Sequence, residues 1–202
     1  MDSQIKSESR VRDLGEVYTN RREVDAMLDL VGETSYKMSA RIFEPSCGNG
    51  NFLAAILDRK LETVKRINER HRGIKRFEYN IIKCLSSIYA IDICAENVSD
   101  SRQRLYQKVK DFYSEQKNTS ISSEGFYDSV GYILEKNIIA ANSLDDQDEI
   151  LFSEFKKVSS NNYALQESIY PYREIGKKNA KPVEVKSEKP YLSLYKNGGL
   201  DE

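Results

Sequence analysis

The segment Arg41 to Leu53, Arg-Ile-Phe-Glu-Pro-Ser-Cys-Gly-Asn-Gly-Asn-Phe-Leu, restricts the folds open to this chain more than any other. Its first residues, Arg41-Ile42-Phe43, are short and apolar enough for a buried strand. Pro45 interrupts regular pairing, and Gly48 and Gly50 open backbone conformations closed to other residues. From Asn51 the pattern turns helical, with Phe52, Ile56, Leu57 and Leu61 along one side. A strand, a glycine turn and a helix start in succession predict an α/β sheet. They set backbone N–H groups and a helix N-terminus at the carboxyl end of a strand, where open α/β sheets bind ligands. Any βα turn can use a bare Gly-x-Gly, so the two glycines alone name no ligand.

The longer string Glu44 to Leu53 resembles the S-adenosylmethionine loop of the N6-adenine-specific DNA methyltransferases of restriction-modification type. That family writes the loop Asp/Glu-Pro-x-Cys-Gly-x-Gly-x-Phe-Leu. Each fixed position is met by Glu44, Pro45, Cys47, Gly48, Gly50, Phe52 and Leu53. The resemblance implies a Rossmann-like methyltransferase sheet flanked by helices, with S-adenosyl-L-methionine as cofactor. It assigns the loop, Ser46 and Asn51 included, to the methionine half of that cofactor. Gly48 and Gly50 let the backbone approach, and Glu44 faces the methionine amino group. The segment Gly15-Glu16-Val17-Tyr18-Thr19 is similar to the element that opens these enzymes, and the resemblance places Val17, Tyr18 and Thr19 at the methionine end. Asn20 stands where the family usually has proline. Without the resemblance, Thr19 or Asn20 is an ordinary cap for a helix whose apolar face is Val24, Met27, Leu28 and Val31.

After the loop, a long charged helix is expected from Asn51 to about Arg70, and a second from Arg76 to Ser86. The alternating charges of the first read as a solvated face. Ser87 to Ile93 is β-branched and aromatic and predicts the second strand, with the acid Asp92 near its end. An acid at the tip of the second strand accepts hydrogen bonds from ribose hydroxyls in nucleoside-binding sheets. Asp92 lies 42 residues after Gly50, against a usual offset of ~20, and the Arg72–Ser86 insertion accounts for the excess. Asp92 is also a plausible N-cap for the helix that follows. The family string Ile-Asp-Ile-x-x-x-Asn is matched by Ile91, Asp92, Ile93 and Asn97, and the resemblance puts Ile93 against the adenine ring. Helices are expected over Ala95–Lys117 and Gly125–Lys136, with a polar linker between them. Asn137–Ala141 is the third strand, leading into Asn142-Ser143-Leu144. The family usually has Asp at the first of these three places, to accept from the adenine amino group. Asn142 keeps the carbonyl and loses the charge, and Asp145 or Asp146 is close enough to substitute.

The family's catalytic string, Asn/Asp/Ser-Pro-Pro-Tyr/Phe, is absent. The four prolines, Pro45, Pro171, Pro182 and Pro190, are never adjacent. Tyr170-Pro171-Tyr172 and Lys189-Pro190-Tyr191 keep only a Pro-Tyr. The sheet is therefore expected to be incomplete at its C-terminal half. Residues 1–158 form the cofactor-binding domain with its lead-in, and residues 159–202 a polar tail. From Arg173 to Lys189 six cations face three acids without periodicity, which reads as a solvated segment or, alternatively, as a DNA-contacting arm.

Composition narrows the rest. A chain of 202 residues is one domain with a sizeable core. A formal net charge of −1 gives no broad positive field for nucleic acid. No apolar run reaches the ~20 residues of a membrane span, and the polar start argues against a secretory leader. Cys47, Cys84 and Cys94 have no metal-ligand spacing and read as reduced thiols of a cytoplasmic protein. His71, the only histidine, reads as solvated, so no Cys47–His71 catalytic pair is expected. The resulting expectation is the cofactor-binding part of an adenine-N6 DNA methyltransferase, truncated or split, acting on DNA with the catalytic and target-recognition parts on a missing segment or on a partner in a hetero-oligomer. The alternatives are a non-catalytic S-adenosylmethionine-binding module and a methyltransferase with a substrate other than DNA.

Overall fold

The computed structural model describes residues 19–117, 122–144, 150–158, 163–175 and 177–196. The fold is mixed α/β. Five helices are present among these residues: α1 (Arg21–Val31), α2 (Asn51–Arg70), α3 (Ile74–Leu85), α4 (Ala95–Lys117) and α5 (Phe126–Asn137). Three short strands, β1 (Ile42–Glu44), β2 (Ile88–Asp92) and β3 (Ile138–Ala140), form a parallel sheet in the order β1-β2-β3. A separate antiparallel sheet comprises β4 (Leu151–Lys157), β5 (Ala164–Pro171), β6 (Glu184–Val185) and β7 (Lys189–Pro190).

The strands' period of two sorts their side chains between two cores. Ile42, Ile88, Ala90 and Ile138 point to the helices and join the larger cluster with Leu53, Ile56, Leu57 and Ile82. Phe43, Tyr89, Ile91 and Ile139 point the other way and meet Ile150, Phe152 and Tyr172. Helices thus cover one face of the parallel sheet, and Ile150 and Phe152 at the start of β4, with Tyr172 and Ile175 after β5, pack on the other. Tyr89 and Phe43 both meet the Phe152 ring nearly edge-on, at 5.5 and 6.0 Å, the geometry that aromatic quadrupoles favour.

Helix α1 starts in a capping box. The Glu23 N–H donates to the Asn20 side chain at 3.3 Å, and the Asn20 N–H donates to Glu23 Oε2 at 3.2 Å. Of its four expected core residues, Val24 and Leu28 are buried, but Met27 and Val31 are exposed. The helix packs mainly along α2, which covers a narrower stripe than the sequence suggests.

The described residues among 163–196 do not form the solvated polar tail expected of them. Residues Ala164–Pro171 pair with β4 through seven residues, and Tyr191 and Leu194 are buried in the larger core. The periodicity was hidden because β5 buries polar residues, Glu167 and Ser168. Glu167 accepts from Ser153 Oγ at 2.6 Å, Tyr132 Oη at 2.8 Å and Lys186 Nζ at 3.2 Å, so its burial is compensated. The Tyr191 hydroxyl donates to the fully buried Glu78 at 2.7 Å, as do the Tyr113 hydroxyl and the Ser123 N–H, both at 2.9 Å. That carboxylate joins α3, α4, the turn before α5 and the last described segment.

At the amino ends of β1 and β2, the fully buried Lys60 ammonium donates to Lys37 O at 2.9 Å, Ala40 O at 2.7 Å and Ser87 Oγ at 2.9 Å. Burial pushes the Lys60 ammonium down to about 8. The unfolded chain then holds more protons than the folded one between pH 8 and the ordinary lysine range, so this group adds stability as pH rises through that window. Urea unfolding of the native chain and of Lys60→Met at pH 7, 8 and 9 checks this. The native chain should gain stability relative to the variant as pH rises. The variant should be less stable throughout, because the Lys37 and Ala40 carbonyls and the buried Ser87 hydroxyl each lose the ammonium donor. A pH-independent difference contradicts the shift.

Candidate functional site

Register places three strand ends side by side. Glu44 is level with Ala90, and Asp92 with Ala140. Neighbouring strands lie ~4.8 Å apart, so the carboxyl ends of β1, β2 and β3 form a row about 10 Å across. Glu44, Asp92 and Asn142 stand at these ends, and the loop from Pro45 to Gly50 passes over them.

Asp92 is 7% exposed and gathers the loop. Its Oδ2 accepts the Gly48 N–H at 2.8 Å. Its Oδ1 accepts the Cys94 N–H at 2.9 Å and Asn97 Nδ2 at 3.4 Å. Asp92 thus stands at the strand tip and holds the turn into α4, the second of its two expected roles. The loop is fixed again by Cys47 N–H to Ile91 O at 3.0 Å and Gly50 N–H to Cys47 O at 2.9 Å.

The two glycines do different work. Gly48 and Gly50 both have positive φ, 52° and 82°. A Cβ on Gly50 would sit 2.8 Å from Ser101 Oγ and 3.0 Å from Ser101 Cα. Gly50 is therefore required by the close approach of α4 as well as by the turn. The Ser101 hydroxyl donates to Gly48 O at 2.8 Å. Ser101, and Arg104 one turn on, which donates to Asn51 Oδ1 at 2.5 Å, are site residues that sequence reasoning did not identify. The available signal was their i,i+3 spacing on the helix that follows Asp92.

The remaining expected residues are distributed as follows. Val17 and Tyr18 lie outside the described residues, as do Asp145 and Asp146. Thr19 is brought to the loop, its carbonyl accepting from Asn51 Nδ2 at 3.3 Å. Pro45 and Ser46 are exposed, and Phe52 is half-buried against the larger core. Ile93 is 66% exposed at the tip of β2, and Leu144 is 91% exposed. Asn142 and Ser143 are half-buried after β3. The Asn142 side-chain oxygen accepts the Leu144 N–H at 3.0 Å, so its carbonyl is already partly engaged in a local turn.

Electrostatics single out Glu44. Burial pushes its carboxyl up, the Ser46 N–H at 3.2 Å opposes this, and the charge of Asp92 raises it further. Burial likewise pushes the Cys47 thiol up to about 12 despite its contact with Ser101, which makes it a poor nucleophile. His71 is exposed beyond the far end of the 20-residue α2, about 30 Å of helix away, so the two form no pair. The two Pro-Tyr remnants are covered: Tyr191 is 2% exposed and bound to Glu78, and Tyr172 packs on the Phe43 ring at 5.2 Å. Among the described residues there is no group of three or more His, Cys, Asp or Glu arranged to hold a metal, and no helix long and apolar enough to cross a membrane.

Comparison of the chain with family models, curated proteins and solved structures gives no match.

The docking of the loop on α4 has a direct test. Gly50→Ala should cost about 2 kcal/mol or more in urea unfolding, from the left-handed backbone and the overpacking against Ser101. A loss below about 0.5 kcal/mol, the range of a neutral surface substitution, contradicts the close approach.

Proposed function

We propose that this chain binds S-adenosyl-L-methionine across the carboxyl ends of β1, β2 and β3, as the cofactor-holding part of an adenine-N6 DNA methyltransferase. The observation that carries the reading is the junction of a positive-φ glycine loop with the Asp92 carboxylate at the tip of the next strand. In open α/β sheets that junction is where nucleosides bind. The strand order β1-β2-β3 is that of one half of a doubly wound sheet, and the loop string resembles that of the methyltransferase family.

The site's chemistry suits this cofactor. Glu44 and Asp92 put two carboxylates close enough to influence each other, and the ammonium of a methionine moiety relieves that repulsion. Ile93 offers an exposed aliphatic surface beside Asp92 for a flat ring. Asp92 exchanges its Gly48 partner for, or shares it with, ribose hydroxyls. When bound, the cofactor supplies an electrophilic methyl group on sulfonium. Glu44, Asp92 and the loop backbone bind and orient it. The acceptor that activates the target amine comes from a partner chain or from a segment outside these 202 residues, which hold no polar residue followed by two prolines. β1 is paired on one side only among the described residues, which leaves an edge on which further sheet can be built.

Calorimetry with S-adenosylhomocysteine should show saturable binding to the isolated chain at micromolar concentration, about −8 kcal/mol. Asp92→Ala should weaken it roughly ten- to a hundredfold, the worth of a charged hydrogen bond. Asp92→Asn, which keeps an acceptor for the backbone, should fold like the parent and still bind weakly. No saturable heat up to millimolar ligand refutes the cofactor reading. Radiolabelled methyl transfer to adenine-rich duplex DNA should be negligible for the chain alone and appear with a partner bearing the Asn-Pro-Pro-Tyr string. Robust transfer by the chain alone refutes the split, and binding with silence in both conditions favours a non-catalytic module.

A further inference from the structure

The opposite end of the parallel sheet carries a separate charged feature. Two adjoining cavities, of about 320 and 310 Å³, share Arg41, Glu154 and Lys156 in their walls. Lys177 and Lys178 line the first, and Lys83 and Lys157 line the second. Six cations thus border one cleft against a single carboxylate among its described lining residues, in a chain whose net charge is only −1. The cleft lies at the amino ends of β1 and β2, since Arg41 and Ser87 immediately precede those strands. A five-residue strand spans about 16 Å, which sets the cleft clear of the glycine loop.

The charge is not cancelled internally. Glu154 accepts from both Arg41 and Lys156, each at 3.1 Å, and Lys177 pairs with Glu174 at 2.7 Å. Lys83, Lys157 and Lys178 have no carboxylate partner among the described residues. The tyrosines of the cleft are not platforms for stacking. Tyr79 and Tyr170 are 8% and 7% exposed, and the ammonium of Lys157 lies 5.5 Å from the Tyr79 ring centre. The cleft therefore offers clustered cations, one of them a guanidinium, and little exposed aromatic face. A phosphodiester backbone brings one charge per unit without a break, and matches that cluster.

We propose that this cleft binds the phosphodiester backbone of a single nucleic-acid strand, without reading its bases. The inference is independent of the cofactor reading, which concerns the other end of the sheet. Fluorescence anisotropy with a labelled oligodeoxythymidine of about 20 nucleotides tests it over about 50 to 200 mM salt. Binding should weaken steeply with salt. The variant Lys83→Ala/Lys157→Ala/Lys178→Ala should bind at least about tenfold more weakly, with the slope of log K against log salt reduced by about 2, from three lost phosphate contacts on a single strand. The single variant Lys178→Glu should weaken binding in the same direction. The equal-charge control Lys65→Ala/Lys75→Ala/Lys110→Ala, on other surfaces, should change neither quantity. Circular dichroism and S-adenosylhomocysteine calorimetry should be the same for the cleft variant as for the parent, which separates failure of this inference from failure of the cofactor reading. Absence of saturable binding by the native chain, equal losses in the cleft and control variants, or equally effective competition by polyglutamate overturns the proposal.

Discussion

The hydrogen bond from the Gly48 N–H to Asp92 Oδ2, at 2.8 Å, ties together the parts of this molecule that are otherwise far apart in sequence. It joins the loop after β1 to the end of β2 across 44 residues. Through Cys94 and Asn97, the same carboxylate starts α4. α4 then closes the arrangement, because Ser101 fills the space left by the missing side chain of Gly50 and donates to the Gly48 carbonyl. A charged acceptor at 7% exposure is costly unless its lone pairs are occupied. Here backbone donors satisfy it, so burial of the acid and order in the loop support each other.

The two ends of the parallel sheet are built on opposite charges. At the carboxyl ends, the carboxylates of Glu44 and Asp92 stand beside the loop backbone. At the amino ends, Lys60 is buried among carbonyls, and outside it Arg41, Lys83 and Lys156 face solvent around one carboxylate. A chain with nearly equal numbers of acids and bases can hide such polarity completely in its composition. The statement that net charge gives no broad positive field is correct for the molecule and uninformative about the cleft, because fields at a surface depend on where charges sit within a Debye length of about 8–10 Å.

Local signals in the sequence located the elements that matter for the loop. The helix from Asn51 and the helix over Ala95–Lys117 stand where their apolar spacing put them, and β1, β2 and β3 agree to within a residue or two at each end. The C-terminal segment was not legible. β5 hides its alternation by burying Glu167 and Ser168, and the burial of Glu167 depends on Ser153, Tyr132 and Lys186, all distant in sequence. Tyr191 reads as a remnant of a motif until its hydroxyl is found on Glu78, 113 residues away. The contact that fixes Gly50 was hidden for the same reason. A glycine's neighbours in sequence show that it turns the chain, whereas the helix that packs on it is a long-range fact.

The measurement that tests the account most directly is a backbone amide correlation spectrum of the chain titrated with S-adenosylhomocysteine. The account predicts shifts confined to the carboxyl ends of the parallel strands, led by Gly48 as its N–H answers to a new neighbour at Asp92, with Gly50, Ile93 and Asn142 following and the Arg41, Lys156 and Lys178 amides still. Unmoved loop amides at millimolar ligand, or shifts centred on the amino-end cleft, would contradict it.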